Sequence, residues 1–211
     1  MPEIDAQHLA PENARSLRPK AREALKAARA VFLEVGYDGA TMDEIARVGG
    51  ISKATLYAHF SGKAALFEEL IRVECRSVNA NLYVPSLEHG SIEAELRKVA
   101  TNYRRIFAQR EGLDIFRILI PVAPRFPRLA KVFYEEGPGA SIRQIAAYLA
   151  ALSRSGQMRI PDPDAAAHQL LALVTEDIKL AGALAFPAPP AREADHLINS
   201  GIAMFLAFYK A

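Results

Sequence analysis

Between residues 52 and 60 the sequence sets hydrogen-bond donors at Ser52, Lys53, Thr55, Tyr57 and His59, with the apolar Leu56 among them and Phe60 closing the run. Hydroxyl, ammonium, phenol and imidazole groups on one outward side of a helix suit duplex DNA, whose base edges and phosphates accept hydrogen bonds. Catalytic chemistry finds no comparable support. The five histidines, His8, His59, His89, His168 and His196, show no ligand spacing such as H-x-x-x-H, and no glycine-rich loop follows a strand to cradle a nucleotide. No catalytic residue, metal ligand or cofactor is therefore expected. The single cysteine, Cys75, excludes a disulfide framework within the chain and a cysteine-rich zinc site. It reads as a small filler in a helix, since nothing nearby in sequence favours a reactive thiolate.

Such donors need elements that point them outward. Thr41, followed three residues later by Glu44, forms a capping box and starts a short helix that Gly49-Gly50 ends. Ile45 and Val48, with Met42, give that helix an apolar edge. Ser52 then caps a second helix across a turn of about four residues, the length of a helix-turn-helix corner. Ile51, Leu56 and Phe60 fasten this second helix from behind. Upstream, Pro19 fits the first turn of a helix running to Val35, where Gly36 takes the left-handed end. Its buried face is read as Leu25, Ala28, Phe32 and Val35. Arg22, Lys26 and Arg29 form a separate basic stripe, which is either solvated surface or a contact with phosphates. The net charge of +2 is too small to announce a nucleic-acid partner, but from Arg15 to Arg29 the six cations meet only Glu23.

The stretch GYDGATMDEIARVGGISKATLYAHFSGKAALF closely resembles the DNA-binding segment of the TetR (tetracycline-repressor) family of bacterial regulators. It carries the Gly36-Tyr37 start, the T-x-x-E-I-A helix, the Ser-Lys-x-Thr-Leu-Tyr recognition helix and the His-Phe ending. Two positions depart: Gly49 stands where alanine is usual, and Ala58 where a second aromatic is common. The resemblance implies DNA contacts from Arg22, Thr41, Ser52, Lys53, Ala54, Thr55, Tyr57, His59 and Lys63. The segment 90–174, chiefly IPVAPRFPRLAKVFYEEGP and IAAYLAALSRSGQMRIPDPDAAAHQLLALV, is more loosely similar to the C-terminal domain of the AefR-like subgroup. That implies a sensing and dimerisation domain.

The rest of the chain reads as helix. Lys63 begins a long helix toward Tyr83, whose first turn could seat a phosphate. Residues 91–110 follow with Ile92, Leu96, Val99, Tyr103, Ile106 and Phe107 on one face; Gly112 separates them from an apolar helix, 113–122, suited to the middle of a bundle. Pro121 to Pro127 must bend. Helices are then expected over 128–136, 141–154 after a Gly-Pro-Gly interruption, 162–185 with Asp162 as cap, and 192–209. The fold class is all-α: a three-helix helix-turn-helix domain at 18–64, after a flexible arm at 1–17, and a larger helical bundle at 65–211, about nine helices in total.

In the last helix, Leu197, Ile198, Ile202, Phe205, Leu206 and Tyr209 cover about half the circumference. With Leu173 they are assigned to a homodimer interface in preference to an internal core; a two-fold dimer would match a palindromic operator. A small apolar or amphipathic effector is expected between helices, with Tyr103, Phe107, Phe116, Arg117, Phe133, Tyr134, His168, Glu176 and Asp177 as candidate contacts. No apolar run approaches the roughly 18 residues of a membrane span, and the charged start MPEIDAQHLAPENAR does not read as a signal peptide, so a cytoplasmic protein without a membrane partner is expected. The function so read is a DNA-binding repressor released by its effector. The alternative keeps the DNA-binding unit and gives the bundle a protein partner or no small-molecule effector.

Overall fold

The computed structural model describes residues 18–88, 90–108 and 113–211. The arm at 1–17, His8, His89, the helix end at Arg110 and the separator Gly112 lie outside the described residues. Those described form ten α-helices: α1 Pro19–Gly39, α2 Met42–Val48, α3 Lys53–His59, α4 Lys63–Ala80, α5 Ile92–Ala108, α6 Asp114–Leu119, α7 Pro127–Glu136, α8 Pro138–Arg154, α9 Pro163–Ala183 and α10 Ala191–Phe208. Only Gly137 separates α7 from α8, so the count is nine if these are taken as one interrupted helix. Packing divides the chain into two units, one of residues 18–80 with Asp114–Gly137, the other of Asn81–Leu113 with Pro138–Ala211.

In the first unit α2, α3, α4 and α6 pack on α1, and α7 packs on α4. The unit thus holds more than the three helices of 18–64. Leu25, Ala28, Val31 and Phe32 of α1 are buried with Leu66, Phe67, Leu70 and Ile71 of α4. Tyr37 joins them, its ring 5.1 Å from Phe67 and 5.0 Å from Phe126. Gly36 leaves helical geometry at φ 71°, as the sequence suggests, although a further turn continues to Gly39. Val35, expected in the core, is 50% exposed; it stands in the last turn before Gly36 redirects the chain. Val48 is likewise exposed, because the buried stripe of α2 runs through Met42, Ile45 and Ala46. Gly49 matters here: a Cβ on it would stand 3.1 Å from the Ala27 Cβ, so the glycine lets α2 lie close on α1.

The expected ten-residue apolar helix at 113–122 is only the six residues of α6, and Ile120 is exposed in the turns that follow. Pro121, two residues past the end of α6, explains the early stop, since it lacks an amide for the helical ladder. The Gly-Pro-Gly interruption contracts to Gly137, where a Cβ would meet the Phe133 carbonyl oxygen at 2.8 Å; Pro138 opens α8 instead of breaking it.

The second unit is built on α9, against which α5, α8 and α10 all pack. Asp162 caps it, accepting the Ala165 N–H at 3.0 Å. Leu96, Val99, Leu149, Leu152, Leu170, Val174, Ile202 and Phe205 fill the core. Arg104 is buried among them, donating to the Val174 carbonyl at 2.6 Å and to both Asp177 oxygens at 2.7 and 2.8 Å.

Candidate nucleic-acid interface

Seven residues make α3, and its cap is complete: Thr55 N–H donates to the Ser52 hydroxyl at 3.0 Å. Leu56 is fully buried, and Ile51 and Phe60 are buried at either end. With its back so held, the helix exposes Lys53, Ala54 and Tyr57, the last 51% accessible. Thr55 and His59 are half-buried, the Thr55 hydroxyl 2.8 Å from that of Ser52 and the His59 ring 6.3 Å from Phe60. Thr41 is exposed and caps α2 by accepting the Glu44 N–H at 3.1 Å. The Glu44 carboxylate does not complete the box with Thr41; it takes two guanidinium bonds from Arg47 at 2.8 and 2.6 Å, and these hold its carboxyl below the usual range.

Two cations read as phosphate contacts are engaged by the fold. Arg29 is half-buried and reaches Glu74 at 3.2 Å and Asp114 at 3.1 Å, leaving the stripe to Arg22 and Lys26, which are exposed. Lys63 turns inward, donating to the carbonyls of Tyr37, Asp38 and Ala40 at 2.6, 3.3 and 2.9 Å, with its ammonium 4.6 Å from the Tyr37 ring centre. An ammonium has three protons, and those carbonyls, at the end of a helix, use them all. The expectation that Lys63 offers its charge to a phosphate is therefore corrected. Lys53 is exposed but paired, its ammonium 2.6 Å from Asp43 of α2.

The nine candidate effector contacts divide between the two units. Phe116, Arg117, Phe133 and Tyr134 belong to the first unit and the other five to the second. Phe116 and Phe133 stack 5.8 Å apart, Arg117 pairs with Asp114 at 3.6 Å, and Tyr134 is exposed. Tyr103 and Phe107 pack edge to face at 5.7 Å, Asp177 is held by Arg104, and His168 and Glu176 face solvent. A crevice in the second unit is lined by Leu82, Tyr83, Val99, Asn102, Tyr103, Ser141, Gln144 and Ile145, and its volume of about 10 Å³ has room for roughly one water. Of the candidates only Tyr103 reaches it. Nothing in the sequence sets Asn102 or Gln144 apart from the other polar residues of α5 and α8, so no local signal marks this crevice.

The assigned dimer residues also divide. Ile198, Ile202, Phe205 and Tyr209 are at most 5% exposed within the single chain, so they are core, not interface. Gly201 brings α10 onto α9 so closely that a Cβ would lie 2.9 Å from the Leu173 oxygen. Leu197 and Leu206 are half-buried. Leu173 is 38% exposed, and with it stand Leu180, Leu184, Phe186, Met204 and Phe208, the last 78% exposed. Met204 and Phe208 were missed because α10 is apolar over half its circumference and the sequence does not say which part α9 covers. Met204 and Phe208 follow Leu197 at seven and eleven residues, a legible second stripe.

Residues 24–70 match the family described as bacterial regulatory proteins, tetR family, and residues 94–211 match the AefR-like transcriptional repressor, C-terminal domain. The structure is similar to that of the Flavonoid-responsive Regulator FrrA, with 37% identity, a TM-score of 0.84, and 90% of this chain and 97% of that one covered. A TetR-family transcriptional regulator from Mesorhizobium loti is similar at 29% identity and TM-score 0.82, covering 96% of this chain and all of that one (100%). The biofilm operon negative transcriptional regulator IcaR of Staphylococcus aureus is 45% identical over 42 residues, 20% of this chain. The chain spans 23% of the length of that curated relative.

Proposed function

The chain belongs to the TetR family of bacterial regulatory proteins, and from that premise we propose a homodimeric repressor that reads a palindromic operator with α3 and releases it on binding a small molecule. It is a transcriptional regulator and not an enzyme, and TetR-family regulators bind DNA as dimers. The observation that carries the reading is the seating of α3: Leu56 locks its back into the core while Lys53, Ala54 and Tyr57 face outward. Thr55 and Tyr57 then supply base contacts, and Arg22, Thr41, Ser52 and His59 border them; the exposed Arg22 and Lys26 of α1 supply phosphate attraction. Acting on DNA places the protein in the cytoplasm. No helix among the described residues is long and apolar enough to cross a membrane.

Dimerisation is assigned to α9 and α10, on which Leu173, Leu180, Met204 and Phe208 are large apolar side chains exposed in the single chain, with Leu184 at the end of α9. The effector is an apolar or amphipathic small molecule held by the second unit, and the likeness to a flavonoid-responsive regulator makes planar phenolic compounds the first class to screen. A second reading, regulation without a small molecule, is favoured by the crevice, which must widen from about 10 Å³ to several hundred to take a drug-sized ligand.

Selection of genomic fragments on the purified protein tests the regulator reading; recovery of no preferred sequence overturns it. A thermal-shift screen with phenolic compounds, followed by operator release, separates the two effector readings. A coupling of about 1 to 3 kcal/mol, several-fold to about a hundredfold in operator affinity, is expected of a true effector.

A further inference from the structure

Four charged side chains lie in the helix-turn-helix segment 41–60, the acids Asp43 and Glu44 and the cations Arg47 and Lys53. Each cation is bound to an acid: Arg47 to Glu44 at 2.6 Å and Lys53 to Asp43 at 2.6 Å. The Arg47 pair lies within one turn of α2. The Lys53 pair bridges two helices, from the first turn of α2 to the first residue of α3, and both partners are 63% exposed. We infer that the Asp43 carboxylate occupies the place of a DNA phosphate on Lys53, so that Asp43 is an intramolecular competitor that restrains binding to every duplex.

The inference rests on the proposal that α3 meets DNA. An ammonium contacts a carboxylate and a phosphate through the same protons, and Lys53 must exchange one anion for the other when the duplex arrives. After the exchange Asp43 is left as an unpaired carboxylate beside a polyanion. The exchange has no sequence content, because phosphate contacts carry none, so it lowers affinity on operator and random DNA alike. Arg22 and Lys26 lack this restraint: both are exposed on α1, and neither has an acidic partner among the described residues. Long-range attraction to DNA therefore comes from α1, while the reading helix approaches with its charge already neutralised and commits Lys53 only on contact.

The test is a double-mutant cycle on the full-length protein, read as Kd for the selected operator and for a random duplex at one salt concentration. Asp43→Asn keeps an acceptor for Lys53 but removes the charge. It should tighten binding to both duplexes by about two- to fivefold, the range an exposed ion pair supplies. In a Lys53→Gln background the same change should give a clearly smaller gain, that of removing a carboxylate beside the polyanion, because no ion pair has to be exchanged. Circular dichroism and melting temperature should be close to the parent's in all variants, since the pair is exposed. Unchanged affinity of Asp43→Asn overturns the inference, and so does an equal gain without Lys53, which would mean that Asp43 repels DNA by bulk charge. If the parent binds no duplex at all, the regulator reading fails and this inference with it; a parent that binds while Asp43→Asn behaves identically sinks only the competitor.

Discussion

The Lys63 ammonium holds three backbone carbonyls at the end of α1, so its removal acts on the fold before it acts on DNA. Lys63→Ala should lower the stability of the first unit by about 2 kcal/mol, as expected for lost charge-assisted bonds, and leave the salt slope of DNA binding unchanged. Urea unfolding and a salt titration check the two parts. Thr55→Ala and Tyr57→Ala should do the reverse: unfolding midpoints close to the parent's, with operator binding weakened by about 1 to 3 kcal/mol and random-duplex binding nearly untouched. In the second unit, Glu95 accepts from the Tyr83 phenol at 2.6 Å, the Ser86 amide at 3.0 Å and Lys98 at 2.9 Å, with the Tyr83 bond first in bringing its carboxyl down to about 2. A depressed carboxyl stabilises the fold above its ordinary value of 4.5 and loses that contribution as pH falls toward about 2. Denaturant midpoints measured across this window should fall less steeply for Glu95→Gln than for the parent. Cys75, buried in α4, has its thiol pushed up to about 12 by that burial, then by Glu136 and Glu74, which leaves it a filler and not a sensor.

Among the elements, the short helices of the reading unit are the ones the sequence describes best. Caps at Thr41 and Ser52 and the Gly49-Gly50 corner are local chemistry, and α2 and α3 begin and end where those residues put them. Gly50, at φ +59°, is the corner's left-handed residue. The weakest expectation was for α6, where a largely apolar run reads as a buried helix to Val122 but Pro121 stops it after six residues. Helix contact in the second unit turns on Gly201, whose missing Cβ lets the Leu173 carbonyl of α9 approach α10. Gly201→Ala forces the pair apart and should cost about 1 to 3 kcal/mol, visible as a lower urea midpoint.

For the whole molecule, assembly depends on which side of α10 is left uncovered. Phe205 is 2% exposed and Phe208 78% exposed, three residues apart on one helix. Phe205→Ala should destabilise the chain by about 3 to 5 kcal/mol through the cavity it leaves. Phe208→Asp should leave the monomer folded, yield half the dimer mass in sedimentation velocity, and weaken operator binding, because two tethered reading helices become one. A Phe208→Asp protein that still sediments as a dimer would move the interface elsewhere.

Local chemistry was enough to place the reading unit: caps, a glycine corner and a run of donors around Leu56 depend on neighbours in sequence, and so they were legible there. The all-α class and the cap of α9 at Asp162 belong with them, being set by periodicity and by single turns. What the tertiary structure decided was the use of each group. Whether Lys63 meets a phosphate or a carbonyl, whether Arg29 is surface or clasp, and whether Ile202 or Phe208 is uncovered depends on contacts between residues far apart in the chain. A helix apolar over half its circumference satisfies the same pattern with either edge turned inward, and only the partner that packs against it selects which.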